Sequence, residues 1–357
     1  MKKLVNIGLI GAGSIGDVHL QTFSKLQNEA IIKGITDVNK ELAKQKAQKF
    51  LIESIYPTSE TLLNDTSLDA VIIAVPNKYH ASLAIQALRA GKHVLIEKPM
   101  GINSEAAKEI VRAERESGKL VMVAHQMRWM NVIQQVKTQV EKDAFGSIYH
   151  AKTGWFRRKG IPGWGSWFTQ KDHSGGGPLI DIGVHMVDVA LHLMGNPKPI
   201  SVYGSTYAEF GPKQKGIGSW GIPDWKGKYD VEDFASAFIK MDNGSSLTLE
   251  VSWAVHMDTN NDPFIHLMGS EGGASLIGNR GKILTEQFGR QIDLDLSVED
   301  SEIGDERVQL SKHFIECMRE GKKPITSSMS GLTNNLIIDA IYKSSKTGKE
   351  IELDWEI

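Results

Sequence analysis

The stretch VNIGLIGAGSIG occupies residues 5–16 and indicates the fold of the first half of the chain. Its first six residues form an apolar run typical of a strand that is buried on both faces of a sheet. A Gly-x-Gly-x-x-Gly pattern follows at once and opens a segment with helical spacing. In that context the pattern predicts a dinucleotide-binding turn. The residues assigned to this turn are Gly11, Gly13, Ser14, Ile15 and Gly16.

Each glycine of the turn has its own expected task. Gly11 permits the tight turn, Gly13 lets the backbone approach a pyrophosphate, and Gly16 lets the helix pack closely on the strand. The free N–H groups and the positive dipole end of the helix favour the phosphates. A glycine-rich turn that binds no ligand is the simpler alternative.

Alternating strands and helices extend outward from this turn. Continuous apolar runs suit strands of a sheet covered on both faces, and the segments between them carry helix formers at helical period. This alternation predicts a parallel, doubly wound Rossmann sheet in an α/β fold. The predicted strands are 5–10, 30–35, 69–75, 93–97 and 120–124, and the predicted helices are 14–27, 39–50, 78–90 and 104–118.

Asp37 ends the second predicted strand, where a carboxylate can accept hydrogen bonds from the adenosine ribose hydroxyls. Its charge would also repel a 2′-phosphate. NAD is therefore the expected cofactor, and NADP is less favoured. Lys40 lies near enough to weaken that discrimination, and a helix cap is the simpler role for an aspartate in this position.

The pattern changes near residue 125, after which longer runs alternate with a period of two residues. The turn DNGS at 242–245 predicts a hairpin, because Asn-Gly readily takes the positive φ angles of such turns. We therefore predict an NAD-binding domain at 1–124 and an α+β domain for substrate binding and oligomerisation at 125–357, with a largely antiparallel or mixed open sheet. Its predicted elements are strands 147–155, 200–207, 232–241 and 245–254, and helices 129–141, 306–320 and 329–347.

The composition excludes several classes of protein. Of the 357 residues, 41% are hydrophobic and 24% charged, as in a globular protein with a sizeable core. With a net charge of -2, the chain lacks the excess of basic residues that is typical of proteins that bind nucleic acid or an anionic membrane. The single cysteine, Cys317, cannot form an intrachain disulfide and is expected to be buried and inert. Without a signal peptide or a membrane-spanning run, a cytoplasmic location is expected.

Two longer motifs resemble those of the Gfo/Idh/MocA oxidoreductases. They are VPNKYHASLAIQALRAGKHVLIEKPM at 75–100 and SGGGPLIDIGVHMVDVALHLMG at 174–195. Members of that family pair a Rossmann domain with a substrate-binding α/β domain. Within the family, the stretch at 154–188 most resembles the bacterial glucoside 3-dehydrogenases, and the inositol dehydrogenases match it less well.

The resemblance implies roles for individual residues. Lys98 occupies the lysine of the Glu-Lys-Pro motif, and Asp181 and His185 occupy the acid and the histidine that complete the family's catalytic trio. HQMRWM at 125–130 departs from the family pattern at His125 and Gln126, whereas Arg128 still fits a substrate contact. Asn77 and His80 match the family's Pro-Asn-x-x-His segment beside the nicotinamide, and the further residues expected to bind the cofactor are Pro76 and Glu97.

Elementary chemistry supports the same trio. Oxidising an alcohol by hydride transfer requires a base for the hydroxyl proton and a cation or donor for the developing alkoxide. We therefore expect His185 to be the base and Lys98 to polarise the oxygen. Asp181 lies four residues before His185, on the same helical face, where it can orient the imidazole.

A metal site is the alternative reading of the same helix. Asp181, His185, Asp188 and His192 recur at spacings that place all four on one face, as metal ligands would lie. We expect no metal, because NAD already supplies the hydride acceptor. Asp188 and His192 are instead expected to pack or form hydrogen bonds within the second domain.

The segment 154–168 is rich in tryptophan, arginine and glycine, a combination that suits a sugar. Aromatic faces stack on pyranose C–H groups and cationic donors bind hydroxyls. Arg157 and Trp164 are accordingly predicted to contact substrate, with a loop that simply packs as the alternative. The similar segment 211–230 is expected to be a second rim or a subunit contact.

The sequence thus predicts an NAD-dependent dehydrogenase that oxidises a secondary ring hydroxyl of a sugar, glycoside or cyclic polyol, with C3 of a glucoside as the first choice. An inositol dehydrogenase is the enzymatic alternative. A catalytically silent NAD-binding sugar sensor is the alternative from another class. The expected partners are a carbohydrate or polyol and further copies of the chain in a homodimer or homotetramer, with no nucleic acid and no membrane.

Overall fold

A computed structural model describes residues 4–296 and 306–357. The chain divides into two compact units, as far as it is described: a first unit of Met1–Gln126, Arg307–Leu332 and Ile357, and a second unit of Met127–Glu306 and Thr333–Glu356. The predicted domains, 1–124 and 125–357, break the chain at nearly the same place. They differ in that Arg307–Leu332 groups with the first unit.

A sheet of six parallel strands forms the centre of the first unit, in the order β3-β2-β1-β4-β5-β6. This is the strand order of a dinucleotide-binding Rossmann sheet, and it confirms the fold predicted from the alternating pattern. The strands are β1 Val5–Ile10, β2 Ala30–Thr36, β3 Ser54–Ile55, β4 Ala70–Ile73, β5 His93–Ile96 and β6 Val121–Val123.

Helices connect these strands because each crossover between parallel strands must return along the sheet. Their apolar faces are buried, as at Ala107, Ile110 and Val111 of α5. Asn39 and Asn103 cap α2 and α5 by accepting hydrogen bonds from backbone N–H groups. The helices are α1 Ser14–Ser24, α2 Lys40–Phe50, α3 Ser59–Leu63, α4 His80–Arg89 and α5 Ser104–Ser117.

The second unit is built on a nine-stranded sheet with the order β14-β13-β12-β11-β7-β10-β9-β8-β15. All neighbours are antiparallel except β7 and β10, so the sheet is mixed and mostly antiparallel, as predicted. Its strands are β7 Ile148–Phe156, β8 Pro199–Tyr207, β9 Phe234–Met241, β10 Ser246–Ser252, β11 Pro263–Gly269, β12 Gly272–Ile277, β13 Arg280–Gln287, β14 Arg290–Leu296 and β15 Ile351–Glu352.

Two details of this unit matter for the site. The turn at 242–245 joins β9 to β10 as the predicted hairpin. The helices are α6 Asn131–Glu141, α7 Lys171–Ser174 and α8 Val184–Leu193, and every residue of α8 is buried. A π-helical turn, Leu179–Gly183, leads directly into α8. The core of the unit therefore surrounds the helix that continues the Gly-Gly-Gly motif.

The two closing helices are α9 Glu306–Glu320 and α10 Ser328–Thr347, close to the predicted bounds. Cys317 is buried on α9, and burial raises the pKa of its thiol to about 11. Over residues 4–296 and 306–357, the structure contains no helix with the length and apolar character needed to cross a membrane.

Candidate active site

The turn after β1 depends on close backbone contacts that only glycine allows. Gly11 has a φ of +102°, and a Cβ atom there would lie 2.2 Å from the carbonyl oxygen of Ala74. A Cβ on Gly16 would lie 2.2 Å from the carbonyl oxygen of Gly11. Among the described residues, nothing lies within 4 Å of a Cβ built on Gly13. The turn is therefore closely packed at Gly11 and Gly16 and open at Gly13.

Helix α1 begins directly beside that opening. Gly13 is its N-cap and offers no side chain to the first N–H groups. Gly13 and Ser14 are exposed, and Ile15 is half-buried. The uncapped helix start can donate hydrogen bonds to an anion, so the cradle fits the pyrophosphate of a dinucleotide.

Asp37 lies beside this turn in the structure. Its Oδ2 accepts a hydrogen bond of 2.7 Å from the backbone N–H of Ala12, and its Oδ1 accepts one of 2.7 Å from Asn39. A carboxylate can accept about four hydrogen bonds, so acceptor positions are left for ribose hydroxyls. The Lys40 ammonium donates to the carbonyl oxygens of Asp37, at 2.7 Å, and of Pro57.

We expect Asp37→Ala to narrow the preference for NAD over NADP about tenfold, because one hydrogen-bonded charge is worth roughly 1.5 kcal/mol. The substitution removes both the acceptor for the ribose and the repulsion of a 2′-phosphate. The measurement is the ratio of the dissociation constants for NADP and NAD in the two proteins. Asn39→Ala, which removes only the cap of α2, is the control, and an unchanged ratio in Asp37→Ala would exclude Asp37 from the cofactor site.

The acidic residue of the Glu-Lys-Pro motif lies in a buried ion-pair network. Glu97 follows β5, is 6% exposed, and its Oε1 lies 2.9 Å from His19 Nε2 and 3.2 Å from Arg307 Nη1. Burial by itself would raise the pKa of Glu97. The His19 hydrogen bond and the charges of Arg307 and Lys98 outweigh burial and hold this pKa well below its usual value. Glu97 is therefore ionised beside Lys98, and its predicted contact with the cofactor stays a prediction.

His80 is fully buried at the start of α4. Its Nδ1 lies 2.7 Å from the carbonyl oxygen of Pro99, and its Nε2 lies 2.9 Å from that of Val75. Burial lowers the pKa of His80 although both carbonyls favour the charged ring. The imidazole thus lies between the residue after Lys98 and the segment after β4, and in its neutral form it donates to one of the two carbonyl oxygens. Pro76 and Asn77 lie in that same segment, and Asn77 is 9% exposed.

Asp181 and His185 lie on consecutive turns of one continuous helical segment in the second unit. Asp181 belongs to the π-helical turn, and its Oδ2 accepts a hydrogen bond of 3.1 Å from Trp253 Nε1. His185 lies in the first turn of α8 and is 6% exposed. Such single π-helical turns are frequent at functional sites. The indole therefore fixes the carboxylate next to the predicted base.

Arg128 and Asp188 form a buried, bidentate ion pair. Arg128 Nε and Nη2 each donate to an Asp188 carboxylate oxygen at 2.7 Å, and Asn334 Nδ2 adds a bond of 3.0 Å. The predicted hydrogen bonding of Asp188 within the second unit is confirmed. Arg128 is 2% exposed, so its predicted contact with substrate stays a prediction.

His192 lies near this pair, and burial lowers the pKa of its imidazole to about 3. Burial is joined by the repulsion from Arg128 and Lys137, whereas Asp188 opposes it. The ring is therefore neutral. Among residues 4–296 and 306–357, no three His, Cys, Asp or Glu side chains are grouped as metal ligands.

Comparison with known proteins adds independent evidence. Residues 5–125 match the oxidoreductase family model with an NAD-binding Rossmann fold, and residues 133–275 match the GFO/IDH/MocA C-terminal domain. D-glucoside 3-dehydrogenase of Escherichia coli (strain K12) is 31% identical over 98% of this chain and 97% of that protein. The chain belongs to the Gfo/Idh/MocA oxidoreductase family.

Other similarities of this Gfo/Idh/MocA oxidoreductase extend over the whole chain. The scyllo-inositol 2-dehydrogenase (NAD(+)) of Bacillus subtilis (strain 168) is 27% identical over 99% of this chain and 98% of that protein. A solved levoglucosan dehydrogenase in complex with NADH is 25% identical, with a TM-score of 0.89 over 99% of this chain and 100% of that one. NAD is the cofactor of this oxidoreductase. The evidence is the match to an NAD-binding family model, the similarity to a structure solved with NADH, and the space at Gly13 for the pyrophosphate.

Trp164, which is predicted to contact substrate, packs against other aromatic residues in this oxidoreductase. Trp164 is 6% exposed, donates its Nε1 hydrogen to Gly211 at 2.8 Å, and stacks on Trp225 with ring centroids 5.7 Å apart. Arg157 lies over the Trp155 ring at 4.6 Å. Burial lowers the pKa of Arg157, and the nearby Asp181 charge opposes that shift. The cation thus lies near Asp181, which is predicted to be catalytic, and the contact of Arg157 with substrate stays a prediction.

The sequence analysis did not predict several residues that contact this site. His19 and Arg307 bind Glu97, and Trp253 binds Asp181, each across a long stretch of chain. No local spacing connects such partners.

Proposed function

We propose that this chain is an NAD-dependent dehydrogenase that oxidises a secondary ring hydroxyl of a sugar, glycoside or cyclic polyol to a ketone, with C3 of a glucoside as the first choice. The observation that carries the proposal is the fixed Asp181 carboxylate with Arg157 stacked on Trp155 nearby. This arrangement combines a helical acid, a cation and aromatic faces. The full-length similarity to D-glucoside 3-dehydrogenase supports the choice of substrate.

The proposed chemistry assigns one task to each catalytic residue. NAD, when bound, supplies the hydride acceptor. His185 takes the hydroxyl proton, and Asp181 holds the imidazole in the orientation and tautomer that the transfer requires. Lys98 donates to the developing alkoxide, where a preorganised cation is worth most. The Trp253 hydrogen bond keeps Asp181 from rotating away from this task.

The second candidate is an inositol dehydrogenase, favoured by the full-length similarity to scyllo-inositol 2-dehydrogenase. Both candidates oxidise a secondary ring hydroxyl, so the same trio serves either. Trp225 is 59% exposed and stacks on the buried Trp164, and an exposed aromatic face of this kind suits the C–H face of either ring.

We expect turnover of glucose or a methyl glucoside to give a 3-keto product. Hydride transfer requires the reacting carbon within about 3–3.5 Å of its acceptor, so a single ring position should react. The assay is NAD reduction with glucose, methyl glucosides and myo-inositol, followed by NMR of each product. Turnover confined to inositol supports the second candidate, and an aldonolactone excludes C3. Sugar binding without reduction of NAD would indicate the silent sensor.

We further propose that the second unit forms a homodimer or homotetramer through one face of its sheet. Tyr203 and Phe238 face each other across β8 and β9 and are 52% and 42% exposed, and Tyr207 is 52% exposed. An exposed aromatic row of this kind is typical of a protein interface. The molecular mass in solution, with Tyr203→Asp to break the face, tests it.

A further inference from the structure

Glu232 forms a buried hydrogen-bond cluster with the glycine motif that precedes the catalytic helix. It lies just before β9 and is 7% exposed. Its carboxylate accepts bonds of 3.0 Å from the N–H groups of Gly177 and Leu179. The Tyr342 hydroxyl donates to the same carboxylate at 2.9 Å. Three segments distant in sequence therefore meet at one carboxylate.

This cluster explains two of the three glycines in the Gly-Gly-Gly motif. A Cβ atom on Gly176 would lie 1.8 Å from the Tyr342 hydroxyl oxygen. A Cβ on Gly177 would lie 2.0 Å from the carbonyl oxygen of Glu232. Real Cβ atoms do not approach so closely, so any side chain at either position would push the carboxylate cluster away. The lack of side chains at Gly176 and Gly177 leaves the space in which Glu232 and Tyr342 approach the backbone of the motif.

The helix that carries the catalytic residues needs this contact because it has no cap of its own. Pro178 precedes the π-helical turn and makes no side-chain capping bond. The first N–H groups of any helix lack partners within the helix, and leaving them unpaired in a buried position is costly. Glu232 supplies the acceptor, and the N–H of Asp181 then bonds to the Gly177 carbonyl at 3.0 Å.

We propose that Glu232 is a positioning residue for the reaction: through its hydrogen bonds to Gly177 and Leu179 it fixes the turn that carries Asp181 and leads to His185. This inference rests on the proposed roles of those two residues. Glu232 acts through geometry, so an isosteric acceptor can replace it. A displacement of about 1 Å at catalytic groups can cost about 10²-fold in rate, which sets the expected scale.

The kinetic test compares Glu232→Ala, Glu232→Gln and Glu114→Ala in the full chain. Glutamine keeps an oxygen that can accept the same N–H groups, whereas alanine keeps none. The control residue Glu114 accepts from the Val121 N–H at 2.7 Å and from the Ser328 hydroxyl in the first unit. We expect kcat to fall about 10²-fold in Glu232→Ala, and less than about fivefold in Glu232→Gln.

The deuterium isotope effect separates positioning from mere loss of folded protein. With substrate deuterated at the reacting carbon, Glu232→Ala should raise the isotope effect on kcat, because hydride transfer becomes slower than the other steps. Glu114→Ala should lower the melting temperature and leave the isotope effect unchanged. An unchanged isotope effect in Glu232→Ala, or a Glu232→Gln variant as slow as Glu232→Ala, would overturn the proposal.

Hydrogen exchange supplies a readout that needs no substrate. The amides of residues 177–185 should exchange faster in Glu232→Ala than in wild type or Glu114→Ala. Unchanged exchange there overturns the inference even if the wild type reduces NAD with sugars. If exchange is faster in Glu232→Ala but the wild type oxidises no sugar or polyol, the contact of Glu232 is supported and the proposed function is refuted.

Discussion

Replacement of Lys98 or His185 by alanine is expected to lower kcat by about 10²-fold or more, the usual scale for electrostatic and general acid–base groups. His185 is 6% exposed on a helix whose neighbouring carboxylate is already fixed by Trp253. Lys98 follows an ionised and buried Glu97. Steady-state kinetics with the best sugar of the panel measures the loss.

The NAD dissociation constant should change much less than kcat in both variants. The double variant should lose less than the product of the single losses, because groups that act on one proton are not additive. His173→Ala and Lys119→Ala, at sites without an assigned role, are the matched controls. If EDTA abolished the activity and zinc restored it, the proton-transfer scheme would be wrong and the residues of this helix would instead be metal ligands.

Arg128→Ala is expected to destabilise the protein by about 3–5 kcal/mol, because it leaves a buried carboxylate without its cation. Asp188 is fully buried, and both of its oxygens accept from Arg128. The Asn334 side chain would remain as a neutral donor to Asp188. The free energy of unfolding from urea titration gives the difference between variant and wild type.

Two comparisons sharpen that expectation. Lys213→Ala removes an exposed pair with Glu209, 3.0 Å apart, and should cost less than about 1 kcal/mol. Replacing both buried partners, as Arg128→Met with Asp188→Leu, should recover most of the loss, since a buried ion pair is often no better than packed apolar side chains. A loss in Arg128→Ala no larger than that of Lys213→Ala would contradict the account.

Periodicity predicted the long strands of the parallel sheet but only part of the mixed sheet. The apolar runs at 5–10 and 93–97 become strands of the parallel sheet, and the Asn-Gly turn joins β9 to β10. The short β3 and α3, Ser54–Ile55 and Ser59–Leu63, were missed because elements of a few residues are too short to show a period. The strands β11 to β14, of six to eight residues each, were missed as well. Most residues of β13 and β14 are exposed or only half-buried, so these two strands have no clear apolar face for a local pattern to reveal.

The contacts within the site were predicted less completely. Spacing alone placed Asp181 and His185 on one face, and the structure has them on consecutive turns. It could not indicate the π-helical turn, whose residues Leu179 and Asp181 bond to Glu232 and Trp253. Tertiary partners far apart in the chain leave no trace in a single sequence.

The return of Arg307–Leu332 to the first unit limits how such a protein can be recombined. Arg307 pairs with Glu97, and Arg319 with Glu29, so this late segment carries the cations for carboxylates near the start of the chain. A chimaeric protein joined after residue 126 would contain Glu29 and Glu97 from this chain but would lack Arg307 and Arg319, which pair with them. The cofactor-binding unit therefore consists of two separate stretches of sequence, and exchanging it for that of another protein requires both stretches to be replaced together.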